Sequence, residues 1–292
     1  MNPILPLLVF LPAAGAGILA FAPRARDPLR FAGTVSLLPL ALAVGLFFAF
    51  EPSSAEPQFG FSAPWFRMGE VGVRFAFAID GISLLLVGLT ALLGPVFFFA
   101  AVGPIAERKR EFAVWGLLME TGMLGVFAAA DLVLFYVAWE LSLIPLYFVI
   151  GIWGGPGRGR ATTKFVLYTV AGSLLLLLAL LAVLLEGRSS DLFELARTPR
   201  LLPASIETLA FLGFALGFAV KVPLLPFHTW LPEAHVEAPT SGSVVLAGVL
   251  LKMGTYGLLR FCLPMFPRAS ADLAPLLLAL GAGGAVYGAL LA

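Results

Sequence analysis

Charge is scarce in this sequence. Only 12% of its 292 residues are Asp, Glu, Lys or Arg, and they cancel to a net charge of +1. So balanced a composition lacks the basic footprint of a nucleic-acid binder, and no nucleic-acid partner is expected. Cysteine is scarcer still. A single thiol, Cys262, excludes an internal disulfide and a cysteine-ligated cluster, and its expected role is a buried packing residue. The only two histidines, His228 and His235, stand seven apart with no third clear ligand, so no metal is expected. Long polar runs are missing as well: none exceeds about 30 residues, which leaves a soluble catalytic domain no place in the chain.

What the sequence has is apolar length. Hydrophobic residues make up 60% of it, and the mean hydropathy is +1.00. Such a chain is a polytopic membrane protein. At roughly 20 apolar residues per span, an all-α transmembrane bundle of about nine helices is expected, over 3–22, 31–50, 79–102, 112–130, 132–153, 165–186, 206–230, 241–263 and 272–292. The N-terminal stretch MNPILPLLVFLPAAGAGILAFAPRAR has its arginines after the apolar run, not before it, which marks a first transmembrane helix and not a cleaved signal. At the other end GAGGAVYGALLA stops inside an apolar segment, and the chain is expected to be cut short or only partly represented.

Basic residues cluster in alternate connections: Arg24, Arg26 and Arg30; Arg108, Lys109 and Arg110; Arg158, Arg160 and Lys164. By the positive-inside rule these connections are cytoplasmic and the N-terminus is outside. The long connection 51–74 then lies outside, and Phe59, Phe61, Trp65 and Phe66, all interfacial residue types, mark it as an ordered cap.

Against this background a few charges fall at membrane depth, where they are costly and normally face a bundle interior or a wet cavity. They are Glu120 in LLMETGML, Glu140 in FYVAWELSLIPLYFVIG, Lys221 in GFAVKVPLLPFHTWLP and Lys252 in VVLAGVLLKMGTYG. Counting about 1.5 Å per residue, Lys221 lies roughly 14 Å and Lys252 about 17 Å from the cytoplasmic side, and Glu140 about 18 Å from that side of a ~30 Å core. The three share one level, which predicts a polar row. Desolvation disfavours an ammonium and a neighbouring carboxylate favours it, so a lysine in such a row can be switched between holding and releasing a proton; an arginine could not. Pro223 and Pro226 are expected to free the carbonyls of Ala219 and Val222 and open the helix beside Lys221, and Pro145 that of Leu141. Around this row, His228 and His235 are either interfacial or structural, or proton-handling; Lys164 is an inside anchor or a relay member, and Asp131 is a turn or helix cap.

The two motifs FYVAWELSLIPLYFVIGIWGG and KVPLLPFHTWLPEAHVEAPTSGSVVLAGVLLKMGTYGLLRF resemble the antiporter-like membrane subunits of proton-pumping NADH:quinone oxidoreductase, complex I, and WELSLIPLY is most similar to the M-type chains, the counterpart of mitochondrial subunit four. The resemblance implies a proton-translocating module with Glu140, Lys221, Lys252 and Glu120 on its path, joined by His228, His235 and Lys164. It implies no cofactor in this chain, with FMN, iron–sulfur clusters and quinone in partner subunits. Neighbouring antiporter-like subunits would be its partners, with protons and the lipid bilayer, and a bacterial plasma membrane its location. Members of the family have about fourteen helices in two inverted five-helix units. The resemblance therefore assigns 1–111 to three leading helices, 112–263 to the first unit with its broken seventh helix, and 264–292 to the start of the second. Multisubunit cation/proton antiporters and membrane-bound hydrogenases share both motifs and remain the alternative.

Overall fold

The computed structural model describes residues 2–21, 26–197 and 203–291; Arg24, one of the basic flanks, lies outside them. Lipid offers no partner to backbone N–H and C=O groups, so apolar segments close their own hydrogen bonds as helices. From the N-terminus these are α1 (Ile4–Phe21), α2 (Pro28–Ala49), α3 (Gly81–Ala101), α4 (Lys109–Ala128), α5 (Leu132–Trp153) and α6 (Arg158–Gly187). A short α7 (Leu192–Arg197), α8 (Ala204–Lys221) and α9 (Trp230–Glu237) follow, then α10 (Thr240–Met265) and α11 (Pro267–Leu291). Among the described residues eight of them, all but α7, α8 and α9, are long and apolar enough to cross a membrane, so the chain is a multi-pass membrane protein.

The expected seventh span, 206–230, is α8 followed by a non-helical stretch at 222–229 and then α9. Helix α5 runs unbroken through Pro145. Two turns of α10, Leu246–Leu250 and Leu258–Cys262, are π-helical. In each the hydrogen bond spans five residues instead of four, as when Leu251 donates to the Leu246 carbonyl, and the turn is widened by one residue.

The cap expected at 51–74 is a β-hairpin, an element the helical periodicity did not foretell. Strands β1 (Gln58–Met68) and β2 (Val71–Ile79) pair antiparallel, with Phe61 opposite Phe77 and Met68 opposite Val71, and Gly69 turns the chain at φ +62°. One face presents Phe75 and Phe77 to Phe10 of α1, with ring centroids 5.7 and 6.2 Å away. The three-residue connection 129–131 between α4 and α5 is buried beneath the hairpin. Ala130 donates to the Ala76 carbonyl at 2.9 Å, Leu192 donates to the Ala130 carbonyl at 3.0 Å, and Leu132 donates to Ser190 at 2.8 Å. Asp131 is the N-cap of α5, as its residue type and position suggested, accepting from Val133 and Leu134; its other oxygen accepts from the Arg74 amide at 3.0 Å and from the Ser190 hydroxyl. Burial pushes the Asp131 carboxyl above its usual range, against the pull of these bonds.

At the opposite end, the elbow between α9 and α10 meets the connection between α5 and α6. Gly155 donates to the Glu237 carbonyl and Gly157 to the Glu237 carboxylate, both at 2.8 Å. Between the two ends, α6 and α8 pack at backbone distance through Gly213 and Gly217, a small-xxx-small pair: a β-carbon on Gly217 would lie 2.9 Å from the Gly172 carbonyl.

Candidate functional site

Glu140, Lys221, Tyr136 and Ser173 come together where α5, α6 and the end of α8 meet. Lys221 is the last residue of α8 and is only 3% exposed. Its ammonium lies 4.9 Å from the centre of the Trp139 ring and has no hydrogen-bond partner among the described residues. Glu140, next to Trp139 in α5, is half-buried and within electrostatic reach of Lys221, but the two form no direct ion pair. The Glu140 carboxylate accepts from the Ser173 hydroxyl of α6, and Ser173 in turn lies 3.0 Å from the Tyr136 hydroxyl. Tyr136 precedes Glu140 by four residues, so the two sit on one face of α5.

The helix break beside Lys221 is built differently from the expectation. Helix α8 stops at Lys221, and the Ala219 carbonyl, which Pro223 deprives of its usual donor, is taken by the Leu224 amide at 2.9 Å. The Trp230 indole then folds back and donates to the Val220 carbonyl at 2.9 Å. Backbone at membrane depth is thus resatisfied within the protein, the condition under which a broken helix persists there.

The structure separates the remaining candidates. Lys252, expected in the row, is exposed on the surface of this chain, and its ammonium donates to the Ala247 carbonyl of the first π turn at 2.8 Å. Glu120 is 1% exposed but stands apart, in the seam of α2, α3 and α4. One of its oxygens accepts from Ser36 at 2.5 Å; the other has no partner among the described residues and fills the space left by Gly94, where a β-carbon would come within 2.3 Å. Lys164 pairs with Glu233 of α9 at 2.7 Å, and Arg160 joins them at 3.3 Å. The Lys164 hydrogen bond, with Arg160 beyond it, holds the Glu233 carboxyl below the usual carboxylate range. His228, in the break, has a buried Nδ1 without a partner among the described residues and meets Tyr287 edge-on at 5.4 Å. His235 is exposed at the elbow. Among the described residues no three His, Cys, Asp or Glu side chains gather as a metal set.

The sequence model of the NADH:quinone oxidoreductase/Mrp antiporter transmembrane family matches residues 129–292, which include Glu140, Lys221 and Lys252. The chain belongs to that family. NADH-quinone oxidoreductase subunit M of Rhodobacter capsulatus is 40% identical over 309 aligned residues, covering 100% of this chain and 59% of the relative. A chain of respiratory complex I from Thermus thermophilus with bound NADH superposes with a TM-score of 0.84 at 36% identity, over 98% of this chain and 58% of that one. The Mrp complex from Dietzia sp. DQ12-45-1b contains a chain of the same fold, with a TM-score of 0.77 at 24% identity over 92% of this chain and 29% of that one. This chain therefore spans little more than half the length of the NADH-quinone oxidoreductase relatives it matches.

For a member of the NADH:quinone oxidoreductase/Mrp antiporter family, the charged residues of the site are readable from the two motifs, but their hydroxyl partners are not. Tyr136 and Ser173 were missed, as were Ser36, Tyr168 and Thr229. The available signal was spacing: Tyr136 stands four residues before Glu140, and Tyr168 four after Lys164.

Proposed function

We propose that this chain serves as an M-type, proton-carrying membrane subunit of an NADH:quinone oxidoreductase, moving protons along buried acid and lysine side chains while quinone is reduced elsewhere in the complex. The observation that carries the reading is the Glu140–Lys221 arrangement: an ammonium without an acceptor among the described residues, at a helix break, beside a carboxylate tethered by Ser173. An ammonium out of water depends on a nearby opposite charge. When that charge is present Lys221 holds its proton; when Glu140 is neutralised the ammonium is uncompensated and the proton moves on. Glu120, Lys252, His228, His235 and Lys164 extend the path. Residues 112–263 form the first antiporter-like unit and 264–292 begin the second.

The elbow end, which carries Arg160 and Lys164, faces the cytoplasm, and the hairpin end, with the N-terminus, faces outward, in a bacterial plasma membrane. Partners are neighbouring antiporter-like subunits, and FMN, iron–sulfur clusters and quinone reside in other subunits. Higher identity to the NADH-quinone oxidoreductase chains than to the Mrp chain favours this reading over a cation/proton antiporter.

The test is Glu140→Gln and Lys221→Ala in the assembled complex, reading quinone-dependent NADH oxidation and proton pumping. Both activities fall in both variants while assembly is retained. Full coupled activity in both would remove Glu140 and Lys221 from the path.

A further inference from the structure

Helix α6 carries a polar column that the Glu140–Lys221 arrangement does not use. Arg160, Lys164 and Tyr168 recur at four-residue spacing and so share a face; Ser173, five residues beyond Tyr168, lies further round the helix and meets Glu140. Every member has a partner. Arg160 and Lys164 meet Glu233, the Tyr168 hydroxyl lies 2.8 Å from Thr229 Oγ1, and Ser173 donates to Glu140. From Arg160 to Ser173 helix α6 climbs roughly 20 Å, from the elbow end to membrane depth.

The facing chain makes a matching series in sequence order: Glu233 in α9, Thr229 just before it, His228, and then Lys221 across the break. Two features hold that series against the site. Trp230, the neighbour of Thr229, donates to the carbonyl of Val220, the neighbour of Lys221. Among the described residues the Nδ1 of His228 is buried and unpartnered, as is the ammonium of Lys221, so a buried nitrogen with unused hydrogen-bonding capacity stands at each end of the break.

Resting on the proton-carrying reading above, we propose that the hydroxyl pair Tyr168–Thr229 is the link through which protons pass from the Lys164–Glu233 pair at the elbow end to His228 and on to Lys221. A hydroxyl is both donor and acceptor, so it can take a proton on oxygen while releasing its own. In the step, the Lys164 ammonium, held by the Glu233 carboxylate, delivers a proton to the Tyr168 oxygen, and the original Tyr168 proton moves to Thr229 Oγ1. The original Thr229 proton moves to His228 Nδ1. Each O–H or N–H bond formed is matched by one broken, and no net charge stays on either hydroxyl. Rotation of the two hydroxyls resets the link.

The experiment uses the assembled complex in proteoliposomes with Tyr168→Phe, Thr229→Val, the double variant, Thr229→Ser and Glu140→Gln. Readouts are assembly, coupled NADH:quinone turnover, protons pumped, and the solvent isotope effect. Tyr168→Phe keeps the ring and removes only the hydroxyl. The double variant is expected to lose about tenfold in coupled turnover, with a changed isotope effect, while Thr229→Ser retains the parent rate. Full pumping by the double variant, with Glu140→Gln impaired, overturns the link and leaves the Glu140–Lys221 reading intact. Full pumping by both overturns both. Should Thr229→Val fail to assemble, Tyr168→Phe alone decides: parental pumping and isotope effect refute the link.

Discussion

The ammonium of Lys221 rests 4.9 Å from the centre of the Trp139 ring and on no hydrogen-bond acceptor among the described residues. A cation over a desolvated indole gains about 1–2 kcal/mol, less over a benzene ring and nothing over an aliphatic side chain. Trp139→Phe is therefore expected to slow coupled turnover about twofold and Trp139→Leu about tenfold, with assembly intact in both. Steady-state NADH:quinone turnover alongside native gel electrophoresis checks the order. Equal rates in the two variants would mean that the ring serves packing alone.

Gly94 and Glu120 form a lock defined by volume. A methyl group at residue 94 would lie 2.3 Å from Glu120 Oε1, so Gly94→Ala is expected to destabilise the α2–α3–α4 seam by about 1–3 kcal/mol. Shortening the acid by one methylene makes room, and the double variant Gly94→Ala/Glu120→Asp should recover much of the loss. Thermal unfolding in detergent, analysed as a double-mutant cycle, measures the coupling.

At the hairpin end Arg260 binds Asp80 at 2.6 Å with both side chains largely covered, and stacks over Phe193 at 4.5 Å. The pair ties the N-cap of α3 to the second π turn of α10. Burial pushes the Asp80 carboxyl up, but Arg260 and the Ser83 bonds together hold it below its usual range. Asp80→Asn is expected to cost about 1–3 kcal/mol, since it leaves a partly buried guanidinium without its counter-charge. A lower melting temperature of the purified complex is the readout, and an unchanged one would show that solvent replaces the carboxylate.

The Lys164–Glu233 pair has a defined pH dependence. The folded pKa of Glu233 lies below its unfolded value, so the pair's contribution is complete above about pH 4.3 and fades as pH falls through the lower folded value. Between about pH 6 and pH 8 Glu233 stays ionised. Glu233→Gln should then slow proton uptake by the same factor across that range. A defect that grows or vanishes within it would assign the titration to another group.

Axial position was largely legible in the sequence, and rotation about the helix axis was not. Rise per residue correctly set Glu140 and Lys221 within reach of each other, and the prolines after Lys221 marked the break. The same arithmetic put Lys252 at matching depth, yet that side chain is exposed on the surface of this chain and bonds the Ala247 carbonyl. Depth counts residues along an axis, whereas facing depends on the turn angle, and the π turn at Leu246–Leu250 changes that angle just before Lys252. Ser36 and Glu120 are 84 positions apart in the chain, so local spacing carries no trace of their bond. The hairpin had a local signal in its alternating aromatic residues, from Phe59 to Phe77, but a reading tuned to twenty-residue apolar runs passes over it.

The buried connection 129–131 has a mechanical consequence. With α4 and α5 joined by three residues that are hydrogen-bonded to β2 on one side and to the start of α7 on the other, the two acids Glu120 and Glu140 ride on a stiff frame. Lys221 ends a helix that runs into irregular backbone, held by the Trp230 indole and by the Tyr168–Thr229 hydroxyl pair. Any displacement that changes the separation between acid and base therefore falls to the lysine: Glu140 is the anchored post, and the unwound segment behind Lys221 is the spring.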